Sequence, residues 1–405
     1  MKNWGKVCLM CLALTACSSD KKLAPTEGRL SLVEHRELLS ASGQPSFDKK
    51  KNHKVVEKVP FVFQVKESDK TWTASLDKAE DENLLTFPKI IVLDKKIYAL
   101  DGQGDLVSFD LNGKKLSQTK LEANEAPLSL TTNGEKIVAL SPKGKVFVMA
   151  KDGKLLWQKD YAVPFRNTPV LDKDSLYLLS ATNDLWVLGL KEGKEQWHYK
   201  TTLPATSWWK MASPALGKEV LVVPFSNGAV MAFHPKNGSF LWQEDMFGTK
   251  AFNQFDQMTQ MIASPVMKDS VVYLVGHNDV SKALDLKTGE KIWEIPVGGE
   301  TTPLVYGNTL FILDNQQTLW ALDKSNGRLF WKTPVSLEKG PYALFFVNET
   351  LLLFGPQQII QLNPKTGKVS REITLKKKVS FPTITSDGFY FITQDNQVLY
   401  KGKIQ

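Results

Sequence analysis

Two features of the sequence predict an all-β fold. Short apolar runs of strand length alternate with polar turns, and a unit of about four such runs returns at intervals of roughly 40 residues. A lone four-stranded sheet leaves both faces uncovered, whereas units packed radially cover one another, so this unit predicts a β-propeller. Each unit opens on a proline, and the series Pro88, Pro127, Pro169, Pro214, Pro265, Pro303, Pro341 and Pro382 predicts eight blades, each a four-stranded antiparallel sheet. The mature chain is long enough to bury a large core, and 42% hydrophobic and 10% aromatic residues suit a globular protein.

The units that fix this reading are those with the clearest runs. Thr302-Pro303-Leu304 leads through Leu310-Phe311-Ile312-Leu313 and Leu319-Trp320-Ala321-Leu322-Asp323 to Gly327 and Trp331. Ser264-Pro265-Val266 leads through Val271-Val272-Tyr273-Leu274 and Ala283-Leu284-Asp285 to Gly289 and Trp293. The same glycine and tryptophan, four residues apart, are Gly153 and Trp157, Gly193 and Trp197, and Gly238 and Trp242, while Gly113 and Gly367 are followed by Ser117 and Arg371. One tryptophan per unit is expected to dock sheet on sheet, its indole N–H on a carbonyl; a cofactor or sugar platform is the other reading, but it needs one such ring and not a series. Asn-Gly, Thr-Gly and Asp-Gly pairs mark the turns.

The ends of the chain are expected to meet. The eighth unit stops at Gln405 without its glycine and tryptophan, and Thr71-Trp72-Thr73-Ala74 repeats the outer-strand pattern of Ile292-Trp293-Glu294. An N-terminal strand therefore closes the last blade, and closure removes the open edges that invite aggregation.

Ahead of the propeller, assigned to residues 59–405, lie two other segments. Residues 1–17 read as a signal peptide: Lys2 and Lys6, an apolar run from Val7 to Leu14 too short to span a bilayer, then Leu14-Thr15-Ala16-Cys17. These residues resemble a lipobox, which implies that Cys17 is lipidated and becomes the first mature residue. Several acyl chains give stable anchoring without a transmembrane helix. Ser18 follows the cysteine, where an aspartate resembles the inner-membrane retention signal, so the implied address is the periplasmic face of the outer membrane. An ordinary secretory signal ending in cysteine is the alternative, and either one exports the chain. Residues 18–58 are polar and charged and read as a tether, with a short helix possible over Leu30 to Leu39 and a further strand over Val59 to Val65.

Composition excludes several functions. Cys8, Cys11 and Cys17 are the only cysteines, so cleavage leaves neither a disulfide nor a thiolate metal site. His35, His53, His198, His234 and His277 are scattered without ligand spacing, and no nucleophile elbow, phosphate loop or zinc-protease helix is present. A net charge of +8 allows an acidic partner, but an exported chain rarely meets nucleic acid and its lysines are dispersed, which suits a solvated surface. The expectation is a protein without enzyme activity, cofactor or metal.

Binding residues are then sought where the repeat is interrupted. Most links from a tryptophan to the next proline take about ten residues, as from Trp293 to Pro303. Two adjacent links are longer. Trp197 to Pro214 carries Trp208, Trp209, Lys210 and Met211; Trp242 to Pro265 carries Phe252, Phe255, Asp256, Met258, Gln260 and Met261. Aromatics and methionines of this kind compose interface hot spots. The alternative is that they fold back and cap the propeller. An outer strand could also accept an extended segment by β-augmentation, and no feature of the sequence selects one.

The repeat resembles that of quinoprotein-type propellers, and with the lipobox, tether and eight units it resembles the BamB family of lipoproteins of the outer-membrane β-barrel assembly machinery. The likeness runs over almost the whole mature chain. It implies a non-catalytic scaffold that binds the periplasmic domains of the central barrel-assembly protein and helps deliver unfolded outer-membrane proteins as clients, with the two long links as docking site. Lys210, offset by one, would stand for the family's basic residue in the first link. The acidic residues of the second link are missing here except for Asp256, which implies docking more by apolar contact than by charge. A propeller serving another envelope complex is the second reading. A quinone-dependent dehydrogenase is the third, and the resemblance would then require a calcium site, a catalytic aspartate and often a vicinal disulfide.

Overall fold

The computed structural model describes residues 72–77, 90–121, 129–202, 211–246, 261–277, 279–375, 378–380, 382–385, 388–393 and 398–402. The chain divides into two units, Met1–Glu57 and Lys58–Gln405, and all described residues belong to the second. The leader with Cys17, the tether, the possible helix over Leu30 to Leu39 and the possible strand over Val59 to Val65 lie outside the described residues.

Every regular element among the described residues is a strand, and these strands form eight four-stranded antiparallel sheets. In chain order the sheets span 90–119, 129–160, 170–200, 215–245, 266–295, 304–334, 343–374 and 383–402, the last completed by Thr73–Ser75. The fifth sheet is typical, with Val266–Lys268, Val271–Gly276, Val280–Asp285 and Lys291–Ile295 hydrogen-bonded in sequence order. Its two middle strands are buried almost throughout because they have a neighbouring sheet on each face, which is why they read as continuous apolar runs. Outer strands alternate between exposed and covered residues, as in Leu329–Pro334. Where third and fourth strands pair, the register shifts by one residue in each of the first seven sheets, as between Ala283 and Leu284.

The core lies between sheets. Tyr98 of the first sheet shares a cluster with Phe147 of the second, Tyr177 of the third with Phe233 of the fourth, and Phe311 of the sixth with Leu353 of the seventh. Ile90 and Phe109 of the first share one with Tyr390 and Ile392 of the eighth. In the eighth sheet Thr73 faces Tyr400 and Ser75 faces Val398, and the Thr383 hydroxyl donates to the Ile90 carbonyl at 2.7 Å. Four-stranded sheets packed face to face in chain order are the architecture of a β-propeller.

The repeated glycine and tryptophan make a contact between sheets. Trp72, Trp157, Trp197, Trp242, Trp293 and Trp331 donate from Nε1 to the carbonyls of Leu111, Leu190, Pro235, Leu286, Lys324 and Pro364, each in the following sheet. Each ring lies against that sheet's turn glycine: a Cβ at Gly238 would come within 2.8 Å of Trp197, and one at Gly289 within 2.6 Å of Trp242. These glycines also hold φ of +70° and +75°, where a side chain is strained. The first sheet, with Ser117 in place of the tryptophan, uses another ring. The Tyr98 hydroxyl donates to the Lys151 carbonyl at 2.7 Å, and the ring lies beside Gly153. Burial raises the Tyr98 pKa above the ordinary tyrosine value.

Candidate docking surface

Both long crossovers leave outer strands of adjacent sheets and return to the inner strands of the next ones. Residues 203–210 and 247–260 lie outside the described residues, and with them Trp208, Trp209, Lys210, Phe252, Phe255, Asp256, Met258 and Gln260. The roots of the crossovers are described, and they show how the sequence fixes both ends.

The first crossover leaves after Glu195–Lys200. At the end of that strand Asp184, buried, accepts from Lys200 Nζ and from His198 Nε2, each at 3.2 Å, and the His198 ring stacks on Trp186. Asn183 then organises the exit. Its carbonyl accepts from the Thr201 N–H, its Nδ2 donates to the Thr202 carbonyl at 2.8 Å, and its Oδ1 accepts from the Ser226 N–H and hydroxyl at 2.9 and 2.7 Å. Asn183 has φ of +59°, a conformation asparagine tolerates better than most residues. One buried amide thus ties the start of the first crossover to a turn of the fourth sheet.

The returns of the two crossovers touch. The Met211 N–H donates to the Arg166 carbonyl at 2.9 Å, and the Ala212 N–H donates to the Met261 carbonyl at 3.2 Å. The second crossover starts at Met246, whose N–H donates to the Gly228 carbonyl at 3.0 Å. Met246, Met261 and Ala212 pack in one cluster with Trp242, Val272 and Leu284. Among the site residues expected from sequence, the structure therefore brings Met211 and Met261 to adjoining roots, but it withdraws both from the surface. Met211 is 2% exposed and Met261 1%, because each begins the return to an inner strand and enters the space between sheets. They anchor the crossovers and offer no surface of their own to a partner.

A relay of hydroxyls runs behind these roots. The Thr168 N–H donates to Ser213 Oγ at 3.0 Å, the Ser213 N–H to Ser264 Oγ at 2.9 Å, and the Ser264 N–H to Thr302 Oγ1 at 3.3 Å. Each of these residues precedes a strand-opening proline, so the third to sixth sheets are joined where their inner strands begin. Sequence reasoning singled out the prolines and passed over the Ser or Thr before them, although the hydroxyl recurs in four successive units. No group of three or more His, Cys, Asp or Glu residues suited to a metal ion occurs among the described residues, and no described helix is long and apolar enough to cross a membrane.

The family model described as outer membrane protein assembly factor BamB matches residues 112–333, a stretch that contains both crossovers and every link of the hydroxyl relay. The chain belongs to the BamB family. A BamB of Yersinia pestis is 26% identical over 214 residues, which are 50% of this chain and 54% of that protein. The BamB of Escherichia coli K12 is 25% identical over 228 residues, 54% of this chain and 58% of that protein. The matched part thus spans about half the length of these curated relatives. The crystal structure of BamB from Moraxella catarrhalis shares the fold, with a TM-score of 0.71, 15% identity, and coverage of 82% of this chain and 99% of that one. A quinohemoprotein alcohol dehydrogenase from Comamonas testosteroni also shares it, at a TM-score of 0.62 and 10% identity over 85% of this chain and 78% of that one, a likeness of fold alone. The BamB relatives are assembly factors by name and not enzymes.

Proposed function

We propose that this protein is a lipid-anchored, non-catalytic scaffold of outer-membrane β-barrel assembly. In this reading Cys17 carries the lipid at the periplasmic face of the outer membrane. The eight sheets are the blades of one closed ring, with Thr73–Ser75 as the closing strand. Trp208, Trp209 and Lys210 of the first crossover, with Phe252, Phe255, Asp256, Met258 and Gln260 of the second, receive the periplasmic domains of the central barrel-assembly protein. The scaffold thereby aids the insertion of outer-membrane proteins. The observation that carries the reading is the bond from Ala212 N–H to the Met261 carbonyl, which joins the two crossovers at their returns in a chain of the BamB family. Ring closure is supported by the pairing of Thr73–Ser75 with Val398–Gly402 and by the cluster shared between first and eighth sheets.

The test is copurification of the barrel-assembly protein from membranes with the full, lipidated chain. Trp208→Ala combined with Trp209→Ala is expected to lower recovery by at least roughly tenfold, since truncating aromatic hot spots commonly costs about 2 kcal/mol or more, with an unchanged melting temperature. Undiminished recovery would remove the docking assignment, and recovery of an unrelated envelope complex would favour a scaffold of that complex.

One observation favours a second binding mode. Every other outer strand of five or six residues carries a lysine or arginine, which guards a sheet edge; Phe240–Asp245 has neither, and Phe240 and Leu241 are 58% and 39% exposed. This strand leads directly into the second crossover and is the edge suited to pair with an extended client segment.

A further inference from the structure

Lys282 breaks the repeat at a buried position. It lies one residue before the bulge in the third strand of the fifth sheet, where the other sheets from first to seventh have Val107, Phe147, Trp186, Met231, Trp320 and Ile360. All six are apolar, whereas the Lys282 side chain carries a charge and is 6% exposed. Its Nζ reaches out of its own sheet into the fourth, donating to Glu244 Oε1 at 2.6 Å and to the Asp245 carbonyl at 2.8 Å. Glu294, opposite it in the fifth sheet, approaches to 3.9 Å and is itself held by Lys291 at 2.7 Å.

The place of this contact decides its meaning. Glu244 and Asp245 end the outer strand of the fourth sheet, and the next residue, Met246, is the root of the second crossover. An apolar side chain would pack the two sheets as well as a buried ion pair does, and such pairs add little net stability, but this ammonium also donates a charge-assisted bond to a main-chain carbonyl, that of Asp245, at the end of the neighbouring outer strand. We propose that Lys282 is a positioning residue for docking: by gripping the Asp245 carbonyl from the fifth sheet, it fixes the path on which the chain leaves the fourth and so the presentation of the second crossover to the partner. The assignment rests on the reading of the crossovers as the docking site.

Hydrogen exchange and copurification on the full, lipidated chain test the two readings separately. In Lys282→Met, the amides of Met246 and Ala212, bonded to the Gly228 and Met261 carbonyls, are expected to exchange roughly tenfold faster, the weight of one hydrogen bond to a charged group. Amides in the first and seventh sheets should keep the wild-type rate, and recovery of the barrel-assembly protein should fall at least roughly fivefold, a loss of about 1 kcal/mol of binding. Glu244→Gln, which leaves Nζ on the carbonyl, should show the smaller change in both. Unaltered exchange at Met246 with a lowered melting temperature would overturn the proposal and make Lys282 a plain staple between sheets. Faster exchange with undiminished recovery would leave the grip in place and sink the docking reading instead. If Lys282→Met does not fold, the double variant with Glu244→Gln removes both charges, and the same exchange criterion decides.

Discussion

At the scale of single residues, the repeated glycine is set by a ring in another unit. Gly289 is constrained twice, by φ of +75° and by Trp242 lying where a Cβ would be, while Gly134, at φ of +92°, has open space around it. Gly289→Ala is expected to lose about 2–4 kcal/mol, conformational strain plus overpacking, and Gly134→Ala only about 1 kcal/mol. Denaturant midpoints of the two variants check this. Equal losses would mean that the tryptophan contact carries no weight. The glycine itself was legible in the sequence as a recurring residue, but its partner was not, because the two lie in different units and no local pattern links them.

At the scale of elements, the turns between second and third strands show how one design is finished in different ways. Asp314 accepts the Gln316 and Thr318 N–H groups on Oδ1 and the Trp320 indole N–H on Oδ2. Asp101 accepts the Gln103 and Asp105 N–H groups on Oδ1 in the same fashion, but its Oδ2 is buried without a hydrogen-bond partner among the described residues. Burial, with the charges of Asp105 and Asp77 added, holds its carboxyl above the usual carboxylate range against the two N–H bonds. A carboxyl whose pKa is raised by folding favours the folded state fully only below its unfolded pKa, and that contribution is lost as pH rises through the folded value. Melting curves of wild type and Asp101→Asn should therefore differ least in acid, with the variant gaining as pH rises through the carboxylate range and level above it. A difference independent of pH would show that Asp101 is not the group responsible. The Ser or Thr before the strand-opening prolines of the third to sixth sheets belongs to this scale too: the proline was readable as punctuation, whereas its neighbour's bond to the next sheet depends on how sheets stack.

At the scale of the whole molecule, the pairing of Thr73–Ser75 with Val398–Gly402 makes the N-terminal strand as necessary as any internal one. The Trp72 indole donates to the Leu111 carbonyl at 2.8 Å, and its ring packs near Phe109 of the first sheet and Tyr390 of the eighth. Trp72→Ala is therefore expected to destabilise the protein by about 3–5 kcal/mol, as much as Trp293→Ala between the fifth and sixth sheets, measured by denaturant unfolding. A loss below about 0.5 kcal/mol, the range of surface substitutions, would mean that the ends of the chain are not clamped together.

The sequence by itself determined the strand-and-turn unit, the all-β class, and the two places where the repeat is interrupted. These are properties of period and punctuation, written within some ten residues of chain. Only the tertiary structure decided that Met211 and Met261 are anchors inside the core, that Asn183 ties the first crossover's exit, that Tyr98 replaces a missing tryptophan, and that Lys282 reaches into the neighbouring sheet. Each of these depends on which side chain of one sheet meets which backbone group of the next, about 40 residues away. Burial and hydrogen bonding at that distance are set by packing, and no local pattern encodes them.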